Sequence, residues 1–165
     1  MDNGWQDSAQ AWIREMGEGG DFARRYVLDP VMRSRALKSS PKRALDVGCA
    51  EGRFCRMLKS HDLKVTGLQV TGVDPTPALI AQARARDAQG TYLEASAERL
   101  PFGDETFDLV ISYLSLIDIP DFRNALQEMA LLLKPGGNLL IANLTNFNTA
   151  CRDAGWVKDI RLTST

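Results

Sequence analysis

Arg43-Ala44-Leu45-Asp46-Val47-Gly48-Cys49-Ala50-Glu51-Gly52 is the stretch that most restricts how this chain can fold: an apolar strand runs into a turn of small residues and from there straight into a helical pattern. The absence of bulk at Gly48, Ala50 and Gly52 lets main-chain N–H groups approach a ligand closely, and the helix that follows points its positive end at it. An adenosyl cofactor is the ligand expected there. The plainer alternative, in which the small residues only let a helix pack tightly on a sheet, stays open on this stretch alone.

Spacing separates two kinds of nucleotide site. A dinucleotide fingerprint places Gly at its first, third and sixth positions. Counting from Gly48, the sixth-position equivalent here is Arg53, and the small residues fall instead at Gly48, Ala50 and Gly52. A pyrophosphate would meet a bulky side chain. Asp46, just before the first Gly, is a second difference, because a carboxylate suits a ligand's ammonium group and repels a pyrophosphate. This pattern resembles motif I of class I S-adenosylmethionine-dependent methyltransferases.

Later segments extend the resemblance. Leu68-Gln69-Val70-Thr71-Gly72-Val73-Asp74 reads as a buried strand ending in a carboxylate, with Thr76 as helix cap and Pro77 in the first turn. The family gives its acid at the place of Asp74 the role of accepting both ribose hydroxyls, and open parallel sheets bind ligands outside the carboxyl ends of their strands. Tyr92-Leu93-Glu94-Ala95-Ser96-Ala97-Glu98-Arg99-Leu100-Pro101-Phe102 followed by Phe107-Asp108-Leu109-Val110-Ile111-Ser112 is similar to the next family block. There an Asp usually stands where this chain has Ser96, facing the adenine amino group, while the next backbone N–H faces a ring nitrogen. The resemblance therefore keeps the Ala97 N–H, removes the carboxylate, and implies weaker or water-mediated adenine binding. It also implies Cys49, Pro75, Ser112 and Tyr113 among the cofactor-binding residues.

Tyr113-Leu114-Ser115-Leu116-Ile117-Asp118-Ile119-Pro120 is expected to be a loop crossing the site near the reactive methyl group, with Leu114, Leu116 and Ile119 packed into the core. Asp118 is its one carboxylate and the candidate general base. A helix with Phe122, Ala125, Leu126, Met129 and Leu133 on its apolar stripe follows, stopped by Lys134-Pro135-Gly136-Gly137 before a strand Asn138-Leu139-Leu140-Ile141-Ala142-Asn143. The resemblance spans Arg43 to Asn143. It implies an α/β fold, a Rossmann-like three-layer αβα sandwich with a mainly parallel sheet in the order 3-2-1-4-5. A complete domain of the family closes its sheet with a further helix and hairpin, for which too few residues remain after Asn143. The fifth strand is then an edge, either open to self-association as a homodimer or covered by the tail.

The organisation expected is an N-terminal helical segment at 1–42, a cofactor-binding core at 43–143 and a short tail at 144–165. The chain has 165 residues, 44% of them hydrophobic, enough for one core. A formal charge of −1 gives no long-range pull toward nucleic acid or an acidic membrane, and no apolar run is long enough to span one. The basic cluster Arg33, Arg35, Lys38, Lys42 and Arg43 reads as a solvated face. Cys49, Cys55 and Cys151 fit neither a disulfide framework nor zinc-ligand spacing, no leader pattern opens the chain, and the cytoplasm is the expected compartment. No metal is expected, and the partner implied is a small-molecule methyl acceptor. The single histidine, His61, is read as uninvolved.

Trp5, Trp12, Ile13 and Met16 form a helical stripe in the N-terminal segment, read either as an ordinary docked helix or as a lid hinged at Gly17, Gly19 and Gly20. Arg25 and Tyr26 are within plausible reach of the cofactor's carboxylate. A Val-Thr-Gly unit occurs twice, at Val65-Thr66-Gly67 and Val70-Thr71-Gly72. Only one copy can pair beside the first strand, and the second, which leads into Asp74, is the expected one.

Overall fold

A computed structural model describes residues 4–59 and 67–144. His61, Cys151, the first copy's Val65 and Thr66, and the tail beyond Leu144 lie outside the described residues. The strands are β1 (Arg43–Val47), β2 (Gln69–Asp74), β3 (Thr91–Glu94), β4 (Phe107–Tyr113) and β5 (Leu133–Ala142), all pairing in parallel in the order β3-β2-β1-β4-β5. The helices are α1 (Trp5–Met16), α2 (Asp29–Leu37), α3 (Arg53–Lys59), α4 (Pro77–Arg86) and α5 (Phe122–Leu131), with a π-helical turn at Arg24–Leu28 and a 3-10 turn at Leu116–Asp118.

Alternation along the strands builds two cores, one on each face of the sheet. Leu45, Val47, Val73 and Val110 face Ala125 and Met129 of α5. Ala44, Leu109 and Ile111 face the other way, toward Met32 and Ala36 of α2, Phe54 and Leu58 of α3, and Ile80 and Ala83 of α4. β1 lies in the middle of the sheet and is buried on both faces. This is why its sequence is almost continuously apolar and why Asp46, its one buried acid, stands out. The second Val-Thr-Gly copy is the paired one, with Val70, Thr71 and Gly72 opposite Ala44, Leu45 and Asp46. Gly72 is required there, since an added Cβ would lie 2.8 Å from Cys49 Sγ and 3.0 Å from Cys55 Sγ.

Two boundaries differ from the sequence expectation. The helix α5 ends at Leu131, and Leu133 already pairs with Phe107 at the start of β5. Lys134 to Gly137 then bulge out, and pairing resumes with Asn138 opposite Leu109, so the Pro and Gly residues interrupt a strand rather than precede it. Phe122, placed on the apolar stripe, is 44% exposed at the first turn of α5, whereas Ala125 and Met129 are fully buried. β5 is the edge of the sheet among the described residues, with Ile141 exposed. Among the described residues no helix is long and apolar enough to cross a membrane.

Candidate functional site

A cavity of about 560 Å³ opens at the C-terminal ends of β1, β2, β3 and β4, where the chain turns from strand to helix. Asp46, Gly48, Cys49 and Ala50 form its floor, Asp74 and Pro75 one wall, Ser96 and Ala97 another, and Tyr113 and Asp118 the far side. Two residues expected there do not line it. Gly52 is instead a packing position: its φ is +76°, and an added Cβ would lie 2.6 Å from Tyr92 Cε1. Ser112 is fully buried in β4, and its Oγ is 2.7 Å from that of Ser115, which does line the cavity.

The turn after β1 is fastened from within. The Gly48 and Cys49 amides both donate to the Val73 carbonyl, at 2.8 and 2.9 Å, and the Ala50 amide donates to Asp74 Oδ2 at 2.9 Å. These three amides hold β1 to β2, contrary to the expectation that they face a ligand. What the glycine provides is room: a side-chain carbon on Gly48 would lie 2.3 Å from Cβ of Ser115, whose hydroxyl donates to the Val47 carbonyl at 2.7 Å. Ala50 adopts a positive φ of 48°, a conformation uncommon for a residue with a Cβ and typical of constrained sites.

Five carboxylates line this space, Asp46, Glu51, Asp74, Glu98 and Asp118, and the three aspartates differ in state. Asp46 is 1% exposed, its Oδ2 accepts from the Cys55 thiol at 3.3 Å, and its Oδ1 has no partner among the described residues. Burial pushes its pKa up to about 7. Asp74 accepts the Thr76 amide on Oδ1 at 2.9 Å and the Ala50 amide on the other oxygen. Burial raises its pKa against the lowering effect of those bonds. Thr76 stands at the N-cap of α4 without a side-chain capping bond. Asp118, at the rim, is raised by partial burial, and a hydrogen bond from Trp5 lowers it. Cys49 and Cys55 are buried free thiols; their mutual hydrogen bond and burial hold Cys55 well above its ordinary pKa.

The N-terminal segment forms the roof. Trp5, Trp12 and Met16 line the cavity, the two indoles in a T-shaped contact at 5.1 Å, while Ile13 and Ala9 pack on Leu79 of α4. Arg25 and Tyr26 do not reach the site. Tyr26 is 61% exposed and lies against Phe22, and Arg25 sits over the Tyr26 ring. Of the arginines in this segment it is Arg24 that lines the cavity, paired with Asp21 and stacked over Trp12. The π-helical turn that starts at Arg24 shifts the facing of side chains relative to an α-helix, which a reading at ordinary helical period misses.

Sequence reasoning also missed the anchor beneath the roof. Arg53 lines the cavity and forms a bidentate pair with Asp29, whose Oδ1 also accepts the Tyr113 hydroxyl at 2.9 Å. The signal was in the sequence, since a charged residue opening the helix after a buried turn needs a buried partner.

A family model described as a methyltransferase domain matches residues 45–141. The chain is 37% identical over 110 residues to a demethylmenaquinone methyltransferase of Thermus thermophilus, covering 64% of this chain and 49% of that protein. It is 35% identical over 114 residues to the O-methyltransferase resE of Aspergillus sclerotiorum, covering 67% of this chain and 43% of that one. Among solved structures, an S-adenosylmethionine dependent methyltransferase from Mesorhizobium loti superposes with a TM-score of 0.62 at 28% identity, over 77% of this chain and 56% of that chain. The chain spans about half the length of the relatives it matches.

Proposed function

The chain belongs to the methyltransferase-domain family of class I S-adenosylmethionine-dependent enzymes, and from that membership we propose that it moves a methyl group from S-adenosylmethionine to a small-molecule acceptor by in-line displacement. The observation that carries this reading is Asp46: a buried carboxylate oxygen without a partner, on the floor of a cavity whose volume falls within the range of about 300–1,000 Å³ usual for cofactor sites. An orphaned buried acceptor is costly unless a ligand satisfies it, and an ammonium group does so best.

The other residues fit the same cofactor. Each Asp74 oxygen accepts one amide and keeps a lone pair for a ribose hydroxyl. Ser96 and Ala97 line the cavity and are assigned to the purine. When bound, S-adenosylmethionine supplies an activated methyl group on an excellent leaving group. The protein's part is then to hold the acceptor in line and keep water out, for which Trp5, Trp12 and Met16 serve as cover. Asp118 is assigned to hold the acceptor's proton, because partial burial raises its pKa and it lines the cavity. The balanced net charge argues for a small acceptor rather than nucleic acid, the outer edge of β5, unpaired among the described residues, offers a surface for a homodimer, and the free thiols Cys49 and Cys55 suit a reducing cytoplasm.

A second reading, a cofactor-binding domain with little activity, rests on the chain spanning about half the length of its relatives. A nicotinamide site is disfavoured by Arg53, whose side chain fills the position where a dinucleotide fingerprint needs glycine. Titration calorimetry with S-adenosylhomocysteine and with NAD decides the cofactor; preference for NAD overturns the proposal. Transfer of labelled methyl from the cofactor into a metabolite extract decides activity, and an unlabelled extract favours the second reading.

A further inference from the structure

One face of the N-terminal segment is apolar and, among the described residues, uncovered. Phe22, Tyr26, Val27 and Val31 are each more than half exposed. The rings of Phe22 and Tyr26 touch, with centroids 4.9 Å apart, and Val31 follows Val27 at one helical turn. Contiguous apolar surface of this kind marks a contact with a protein or a membrane.

The charges around the face choose between them. From Phe22 to Lys38 the chain carries Arg24, Arg25, Arg33, Arg35 and Lys38 against one carboxylate, Asp29, a local excess that the near-neutral charge of the whole chain conceals. Asp29 is buried and paired with Arg53, and Arg24 is paired with Asp21. Arg25, stacked over Tyr26, and Arg35 and Lys38 are exposed, and none of the three forms an ion pair among the described residues. Arg35 and Lys38 follow Val31 one and two turns along α2, so they continue its side of the helix. Aromatic and aliphatic side chains bordered by unpaired cations match the boundary of a bilayer with negative headgroups. A second copy of the chain fits worse, because a two-fold contact would set these cations against themselves.

We propose that the face formed by Phe22, Tyr26, Val27 and Val31 seats the protein on an anionic membrane surface, with Arg25, Arg35 and Lys38 at the headgroups. The segment lies along the interface, since no described helix is long and apolar enough to cross it. The contact does not depend on what the cavity holds, yet the two adjoin: Arg24, next to Arg25 in the chain, lines the cavity and stacks over Trp12 of its roof. A bilayer seated here is beside the cover of the site.

Co-sedimentation of the full chain with vesicles tests this. Vesicles of phosphatidylserine and phosphatidylcholine in equal parts should take up the protein at least about tenfold more strongly than vesicles of phosphatidylcholine alone, and the difference should shrink as salt is raised. Two double variants separate the contributions, Phe22→Ser with Val31→Ser for the apolar part and Arg35→Glu with Lys38→Glu for the charge. Each should weaken uptake by the anionic vesicles by about tenfold. All four side chains are exposed and none lines the cavity, so thermal unfolding and S-adenosylhomocysteine titration of both variants should match the native protein. No preference for the anionic vesicles overturns the proposal, and so does uptake that either variant leaves unchanged. A dimer in sedimentation velocity that Phe22→Ser with Val31→Ser dissolves, without uptake by vesicles, assigns the face to a second copy instead. A native protein that binds the anionic vesicles but takes no S-adenosylhomocysteine refutes the cofactor reading and leaves this one standing.

Discussion

Arg53 grips Asp29 with both arms of its guanidinium, at 2.7 and 2.9 Å, and both side chains are less than a tenth exposed. One partner opens α3 behind the glycine turn and the other opens α2, so the pair ties the N-terminal segment to the floor of the site. Removing Asp29 leaves a buried guanidinium and the Tyr113 hydroxyl without their acceptor. Asp29→Ala is expected to destabilise the protein by about 3–5 kcal/mol in urea unfolding. Replacing both members by apolar residues of similar size, as in Asp29→Leu with Arg53→Met, should cost less than the single change. A double variant that is worse than Asp29→Ala would contradict the assignment of the loss to an unpaired charge.

Gly52 supports the site through packing and not through contact with a ligand. Gly52→Ala forces a side chain into the left-handed region and against Tyr92, with an expected loss of about 2–4 kcal/mol in stability. The fraction that remains folded should bind S-adenosylhomocysteine with native affinity. A tenfold loss of affinity in folded protein would return Gly52 to the binding surface.

Asp46 makes ligand-free stability depend on pH. Its folded pKa is raised from 3.8 to about 7, so the folded state holds the proton more tightly than the unfolded chain does. The stability this contributes is complete below the unfolded value and is lost as pH rises through the window from about 4 to about 7. Asp46→Asn removes the ionisation, and its unfolding free energy should exceed that of the native protein at pH 8 by about 1–3 kcal/mol. The same change should weaken S-adenosylhomocysteine binding, and native binding near pH 6.5 should release protons as the ligand's ammonium favours the carboxylate. Equal stability of the two proteins at pH 8 would show that Asp46 is satisfied without a ligand.

Asp74→Ala is expected to weaken S-adenosylhomocysteine binding by about 1–3 kcal/mol, because the ribose hydroxyls and the Ala50 amide lose a common acceptor. Calorimetry measures it directly. Unchanged affinity removes Asp74 from the site.

Asp118→Asn separates binding from chemistry. The expectation is a loss of about 10²–10⁴ in methyl transfer with cofactor affinity retained, together with loss of the rise in rate with pH that an acid of raised pKa produces as it ionises. Trp5→Phe controls for the indole hydrogen bond to the same carboxylate. A native pH profile in Asp118→Asn would assign the proton to another acceptor.

The order of the sheet was legible through the family resemblance, and the position of the cavity through strong local signals: strands of near-continuous apolar residues, glycine at the exit of β1, and an acid at the end of β2. The π-helical turn at Arg24–Leu28 was not, since a change of helical period leaves no mark in composition, and it is Arg24 rather than Arg25 that lines the cavity. The Lys134–Gly137 bulge read as a helix stop because Pro and Gly signal interruption without saying what is interrupted. Glu98 escaped notice for a different reason. Its orientation depends on Asp121 and Asn124, which stand far from it in sequence and reach it only once α5 has docked.

Leu114 leaves β4 in a left-handed conformation, φ 59°, lines the cavity, and donates its amide to the carbonyl of Ala142 at 2.9 Å. The outermost described strand is therefore tied by this one bond to the wall of the cavity, so that a displacement of β5 at Ala142 would be felt at Leu114.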